Sequence, residues 1–143
     1  MKKTIILIIC FVIIIISIFG VKYFNYRAEI NRIKQYNLEY ENYLNKQILG
    51  TELTTFINKA TDNNEKNKVS KDSKGFYIQN DTNSIEIEIK ITDNDTTYKM
   101  ETLYNGGMVN FVQNYNSILF ECSKIEYNKL GKVNYLLFEQ KSN

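Results

Sequence analysis

Few residues in this chain have the side-chain chemistry of a catalytic centre. The sequence contains no His, so a Ser-His or Cys-His nucleophile pair cannot form, and most zinc sites lose their commonest ligand. Its two cysteines are Cys10 and Cys122. We interpret both as small packing residues, because Cys10 lies within an apolar run and Cys122 has only Lys124 nearby in sequence to activate a thiol. A reactive or pairing thiol at Cys122 is the alternative.

One acidic triplet has the composition of the start of a calcium loop. An EF-hand loop that began at Asp93 would need Gly at its sixth position and Glu at its twelfth. Those two positions hold Tyr98 and Tyr104. We therefore predict that Asp93-Asn94-Asp95 forms a turn, and we expect no metal site.

Two glutamates and a glycine pair complete the candidate chemistry. Glu86 and Glu88 are spaced to share one face of a β-strand, but Lys90 follows at the same spacing, which favours a solvated face over an acid–base pair. Replacing Glu88 with Ala is therefore expected to be nearly silent. Gly106-Gly107 is followed by neither the Lys nor the Ser or Thr of a phosphate-binding loop. We predict no catalytic residue, no cofactor and no enzymatic activity.

An uncharged apolar run near the N-terminus dominates the sequence. Residues 5–21 contain no charged side chain, and Lys2, Lys3 and Lys22 flank them. As an α-helix this run would be roughly 26 Å long, which with its flanks matches the roughly 30 Å hydrocarbon core of a bilayer. We predict a transmembrane anchor over residues 1–24 that contacts membrane lipid through residues 5–21.

A cleaved signal peptide is the alternative for this run. Signal peptides have an apolar stretch of about 7 to 15 residues followed by a small-residue cleavage site. The run here is longer, contains no Ala and ends at Val21-Lys22. We therefore expect a retained signal-anchor in the cell membrane. Because a lysine pair precedes the run, we place the N-terminus in the cytoplasm and the following domain outside, against a nearly even count of basic residues on the two sides.

Charge in the rest of the chain is balanced. Removing Lys2, Lys3 and Lys22 from the 18 Lys and Arg residues leaves 15, against all 16 Asp and Glu residues. A nucleic-acid-binding protein needs a concentrated basic face, whereas here the two signs are interspersed. We therefore exclude nucleic acid as a partner.

Hydrophobic periodicity indicates a helical segment after the anchor. Over residues 25–49 apolar residues recur at spacings of mostly three and four, as on one face of an α-helix, and Gly50 stands where helices often end. We predict an amphipathic stalk helix over 25–49, which packs on the domain or self-associates as a short coiled coil. Its stripe comprises Ile30, Ile33, Tyr36 or Asn37, Tyr40, Tyr43, Leu44 and Ile48.

The remaining residues, 50–143, are predicted to form a small α+β domain. From Ile85 to Ile91 isoleucines alternate with charged residues, which is typical of a strand with one buried and one solvent-facing side. Thr51 is placed to cap the first of two helices. We expect a small antiparallel sheet with these helices packed on it. The predicted helices are 52–63 and 108–115, and the predicted strands are 76–79, 85–91, 96–104, 118–127 and 132–140.

This order of elements resembles a type IV pilin or pseudopilin in outline. The shared features are a basic start, an apolar helix, an amphipathic extension and a small sheet domain, although the prepilin peptidase site and the Glu within the apolar run are missing. Two segments are also similar to uncharacterised short single-pass membrane proteins of AT-rich Gram-positive bacteria. These segments are GTELTTFINKA at 50–60 and CSKIEY at 122–127. The second resemblance implies a membrane setting and carries no functional residues.

We expect a non-enzymatic, single-pass membrane protein whose small domain mediates protein–protein contacts. Its partners would be other membrane or surface proteins, or itself, in a surface, secretion or pilus-like assembly. The alternative is a ligand-binding or sensory membrane-anchored domain, because 11 Tyr and 8 Phe can line a small apolar pocket.

Overall fold

The computed structural model describes residues 2–93 and 95–141. It divides the chain into two compact units, the first ending at Gln35 and the second beginning at Tyr36. The α+β class predicted from the sequence is confirmed: a long apolar helix is followed by a small five-stranded sheet with a few helices.

The first helix, α1 (Lys2–Glu41), contains the apolar run. The large apolar side chains between Ile5 and Val21 are all exposed. The Ser17 hydroxyl donates to the Ile13 carbonyl oxygen at 2.8 Å, so this polar group is satisfied within the helix. By length and composition the helix can cross a membrane, a test that a signal sequence near the N-terminus also passes.

The predicted stalk helix does not reach Leu49. It ends at Glu41, and residues 42–46 form a turn in which Asn45 adopts a left-handed conformation with φ 58°. Asn tolerates this conformation better than most residues, so it can stop a helix where the hydrophobic spacing alone would continue it. The chain then enters the short strand β1 (Gln47–Leu49).

Gly50 begins a helix instead of ending one. It is the first residue of α2 (Gly50–Lys66), and a Cβ atom there would lie 1.9 Å from the Tyr115 carbonyl oxygen, so only glycine permits this close approach. Thr51 is not the cap that the sequence suggested. The Glu52 carboxylate accepts a hydrogen bond from the Leu49 N–H at 3.1 Å and satisfies that end of the helix. The apolar side chains of Leu53, Ile57 and Ala60 in α2 are buried.

The sheet has the strand order β1-β4-β5-β2-β3, with β2 (Glu86–Ile91), β3 (Thr96–Lys99), β4 (Leu119–Tyr127) and β5 (Val133–Gln140). Three of its pairings are antiparallel, including the predicted hairpin of β4 and β5. The prediction of a wholly antiparallel sheet is wrong, because β2 and β5 run parallel. Alternation along β2 identifies its two faces but not the direction of its neighbour.

Two other predicted strands are shortened. Residues 76–79 contribute a single bridge, between Lys71 and Tyr77. The strand predicted over 96–104 ends at Lys99, and the chain continues as α3 (Met100–Thr102), a turn that is kinked at Gly106 (Leu103–Gly107) and α4 (Met108–Tyr115). The helix predicted at 108–115 is confirmed.

The core lies between one face of the sheet and the helices. Ile87, Ile89 and Ile91 are fully buried, as the alternation predicted. Helix α2 reaches β5 through the ring contact of Phe56 with Phe138, with centroids 5.8 Å apart. Helix α4 reaches β4 through Phe111 and Phe120, with centroids 5.7 Å apart. Tyr40, from the part of α1 that belongs to the second unit, is also buried in this core.

Candidate functional site

A pocket beside α4 is a concave feature of the second unit that can receive a ligand. We call it the α4 pocket; its volume is about 280 Å³. It lies where the chain leaves β3 and folds back through the kinked turn at Leu103–Gly107 into α4. Its lining residues, all uncharged, are Tyr98, Thr102, Leu103, Gly107, Asn110, Phe111, Asn114 and Tyr115.

The local sequence explains the shape of the pocket. The chain is kinked at Gly106, and Gly107 closes the turn that follows. A Cβ atom at Gly107 would lie only 3.2 Å from the Thr102 carbonyl oxygen. A side chain at this position would narrow the space between the turn and α4. On sequence grounds, Gly106-Gly107 is excluded as a phosphate-binding loop. In the structure this glycine pair helps to form the pocket.

The pocket combines an aromatic wall with free polar groups. Phe111 is buried and packs against Tyr115, with ring centroids 5.2 Å apart. Asn110 and Asn114 are one turn apart on α4 and exposed, and the Asn114 side-chain NH₂ donates to the Asn110 backbone carbonyl at 2.9 Å. Within residues 2–93 and 95–141, the Asn110 amide and the Tyr98 hydroxyl have no hydrogen-bond partner. Both can therefore bind a ligand without breaking a hydrogen bond within the described part of the protein.

A buried carboxylate, Glu101, lies one residue from the pocket-lining Thr102. Its side chain is only 3% exposed, and one oxygen accepts a hydrogen bond from the Tyr77 N–H at 2.9 Å. The other oxygen has no partner among the described residues. Burial, with Glu65 nearby, raises the pKa of Tyr77 to about 12. Glu101 thus fixes the backbone at Tyr77, where the sequence suggested a strand.

Glu101 was not singled out from the sequence, because it lies in the strand predicted over 96–104 and a charged residue is rarely expected in a core. The pocket was missed because it forms where that strand instead ends at Lys99 and the chain turns back. Asn110 and Asn114 stand four residues apart in a segment predicted as helix, a spacing that places them on one face. This four-residue spacing was the signal that could have identified the two side chains. The sequence does not show that this face of the helix borders a pocket.

Cys122 has none of the features of a reactive thiol. Its side chain is fully buried in the core, and burial raises its pKa to about 11. Its sulfur lies 3.7 Å from the Lys124 carbonyl oxygen and donates a weak hydrogen bond. A thiol held protonated at neutral pH is a poor nucleophile. Both cysteines are free, and Cys10 is exposed on the apolar part of α1.

Glu86 and Glu88 do lie on the same face of β2, and each has its own partner. Glu86 forms an ion pair with Lys99, and Glu88 accepts a hydrogen bond from the Tyr135 hydroxyl at 2.8 Å. No hydrogen bond joins the two glutamate side chains. Both are half-buried, so the prediction of a fully solvated face needs correction. Burial and Glu88 raise the pKa of Tyr135 above its ordinary value.

The acidic turn after β2 is used for packing. The Asp93 carboxylate accepts a hydrogen bond from the Gln140 side chain at 2.7 Å, which ties the turn to the end of β5. Asn94, the centre of the predicted turn, lies outside the described residues. In the described part of the chain no three His, Cys, Asp or Glu side chains are grouped so that they could hold a metal ion.

No family model, no curated protein and no solved structure matches this chain. The similarities to pilins and to short Gram-positive membrane proteins therefore stay predictions from the sequence.

Proposed function

We propose that this chain is a non-enzymatic, single-pass membrane protein whose second unit mediates protein–protein contacts in a surface, secretion or pilus-like assembly. The observation that carries the proposal is α1, with an exposed apolar surface from Ile5 to Val21 that suits lipid and not water. Anchoring confines the second unit to one membrane, where its effective concentration toward other anchored proteins is high.

We further propose that α1 is retained and that its N-terminus is cytoplasmic. The length of the apolar run and the lysine pair before it support this arrangement. The second unit would then lie outside the cytoplasm. There its interspersed acidic and basic residues suit contacts with proteins better than contacts with nucleic acid.

Photo-crosslinking in intact membranes tests the protein–protein role. A photoreactive amino acid replaces Leu130 in one variant and Val109 in another, since these side chains are 52% and 69% exposed. Either variant is expected to give a discrete adduct of higher mass after irradiation. A third variant, labelled at Phe11 in the apolar part of α1, separates contacts of the helix from contacts of the second unit. Recovery of monomers alone from both surface variants would refute the proposal.

Ligand binding is the second candidate function, and the α4 pocket is the observation that favours it. Small-molecule sites are concave, mostly apolar and furnished with a few polar groups, as this pocket is. A thermal-shift screen of the full chain in lipid nanodiscs tests this function. A compound that raises the unfolding temperature in proportion to its concentration would support it.

A further inference from the structure

We propose that the α4 pocket binds a small, uncharged aromatic molecule that carries a hydroxyl or amide group. The inference rests on the second candidate function, ligand binding, and names the chemical class of the ligand. Four properties of the pocket lead to it: its charge, its aromatic wall, its free polar groups and its volume.

The charge of the lining excludes ions as the preferred ligand. All the lining residues are neutral, so a bound carboxylate or ammonium would lose hydration without gaining a counter-charge. Of the charged side chains closest in sequence, Lys99 pairs with Glu86, and Glu101 is buried with one oxygen accepting the Tyr77 N–H. Neither of them lines the pocket. A neutral ligand incurs no such electrostatic cost.

The aromatic wall favours a ring. Tyr98, Phe111 and Tyr115 line the pocket from three different places in the chain, β3 and two turns of α4. Aromatic rings in contact prefer offset or edge-to-face arrangements with centroids 4.5–7 Å apart. Phe111 and Tyr115 already form such a pair at 5.2 Å, and a ligand ring can extend it.

The free polar groups require a hydrogen-bonding substituent on that ring. The Asn110 amide offers both a donor and an acceptor, and the Thr102 hydroxyl offers the same capacity. Asn114 has its NH₂ committed to the Asn110 carbonyl, so its side-chain oxygen is left to accept. A purely apolar ligand would desolvate these groups without replacing their water hydrogen bonds.

The volume limits the ligand to a small molecule. Sites for drug-sized ligands have volumes of roughly 300–1,000 Å³, and the α4 pocket, at about 280 Å³, lies just below this range. It therefore suits a small aromatic compound better than a lipid chain.

The test uses p-cresol as the neutral probe and benzoate and benzylammonium as charged probes of the same ring size. Saturation-transfer NMR and a titration are run on the full chain in lipid nanodiscs, with empty nanodiscs as the control for partition into lipid. We expect p-cresol to bind more tightly than either charged probe. Asn110→Ala should weaken p-cresol binding about two- to tenfold, the loss expected for one neutral hydrogen bond. Asn110 is exposed and helical, so the variant should remain folded, as a thermal melt can verify.

Val109→Ala is the matched control. Val109 is on the same helix and 69% exposed, but it does not line the pocket. Its replacement should leave the affinity for p-cresol unchanged.

If a charged probe binds as tightly as p-cresol, the neutral-ligand inference is overturned while ligand binding itself stands. If p-cresol binds equally to the wild type and to Asn110→Ala, the site is elsewhere and the inference is wrong. If no probe binds, the inference and the ligand-binding function both fail, and crosslinking remains the independent test of the protein–protein role.

Discussion

The side chain of Asn64 holds the backbone of Ile85 through two hydrogen bonds at once. Its NH₂ donates to the Ile85 carbonyl at 2.7 Å, and its oxygen accepts from the Ile85 N–H at 2.9 Å. Asn64 lies in α2 and is fully buried, and Ile85 directly precedes β2. The amide therefore replaces a neighbouring strand at this point and fixes the start of β2 against the helix.

Asn64→Ala is expected to destabilise the second unit strongly. Each buried backbone group left without a partner costs roughly 1–3 kcal/mol, so losing both should cost on the order of 2–4 kcal/mol. Urea denaturation of the full chain in detergent micelles measures this loss. Asn58→Ala is the matched control, because Asn58 is exposed on the same helix and Ala favours helix formation. Equal effects of the two variants would show that the Asn64 hydrogen bonds contribute nothing.

The boundary of the folded part gives a second prediction. A fragment of residues 36–143 should fold, whereas one of residues 50–143 should not. The shorter fragment lacks Tyr40 and Ile48, both buried in the core, and also Asn37. The Asn37 side chain donates to the Gly131 carbonyl at 2.8 Å and accepts from the Val133 N–H at 2.9 Å.

Removing a large buried aromatic side chain alone costs about 3–5 kcal/mol, against a total stability of about 5–15 kcal/mol for a domain of this size. Circular dichroism and a cooperative denaturation curve distinguish the two fragments. A cooperative transition of 50–143 with the same midpoint as 36–143 would mean that the end of α1 and β1 do not belong to the folded core.

Part of this fold can be predicted from the sequence alone. Alternation from Ile85 to Ile91 predicts a one-sided strand, and the hairpin of β4 and β5 follows from its turn residues; both are confirmed. The end of α1 could not be predicted, because Tyr43 and Leu44 continue the helical spacing while tertiary contacts decide otherwise. The Asn45 N–H, for example, donates to the Cys122 carbonyl at 2.9 Å, a contact distant in sequence.

The candidate site also depends on contacts between residues that are distant in the sequence. Sequence periodicity places Phe111 and Tyr115 on the apolar face of α4, but the pocket exists because β3 stops at Lys99 and the chain turns back. The kinked turn at Leu103–Gly107 has no clear composition signal, since its residues are compatible with strand, turn or helix. Glu101 was missed because a charged residue is rarely expected in a core.

A third prediction contrasts the two faces of β2. Ile87→Ala should cost roughly 2–5 kcal/mol, because its fully buried side chain would leave a cavity. Glu88→Ala should cost about 1 kcal/mol, since the Tyr135 hydroxyl loses its acceptor at a half-buried position. Urea denaturation ranks the two variants. Glu88→Gln retains an acceptor for Tyr135 and should recover most of the smaller loss; an Ala variant at 88 as damaging as that at 87 would contradict the one-sided core.

A fourth prediction concerns alkaline pH. Burial raises the pKa of Cys122 from 9.0 to about 11, so above pH 9 the unfolded chain releases the thiol proton before the folded chain does. The unfolded state then binds fewer protons, and the free energy of unfolding must fall as pH rises from about 9 to 11, by at most about 1.4 kcal/mol per pH unit. Tyr77, whose pKa is raised from 10.0 to about 12, adds a loss of the same sign between about pH 10 and 12.

Denaturation curves at intervals between pH 8 and 11 measure this slope. Cys122→Ala lowers stability at every pH by leaving a small cavity, but it should flatten the slope between pH 9 and 10, where the tyrosines contribute least. A slope unchanged by the substitution would show that Cys122 does not titrate differently in the two states. Below pH 8 the two proteins should show parallel pH dependence.

The last prediction tests the orientation proposed for the chain. Lys129, in the turn between β4 and β5, has a side chain that is 82% exposed, and it forms a surface ion pair with Asp81. Such pairs contribute little to stability, so Lys129→Cys should fold normally. If the second unit lies outside the cytoplasm, a membrane-impermeant maleimide should label this variant in intact cells. The wild type is the control: its Cys122 is buried, and its Cys10 lies in the apolar run, so its labelling should be slow. Labelling of Lys129→Cys only after the cells are broken open would reverse the orientation and place the second unit in the cytoplasm.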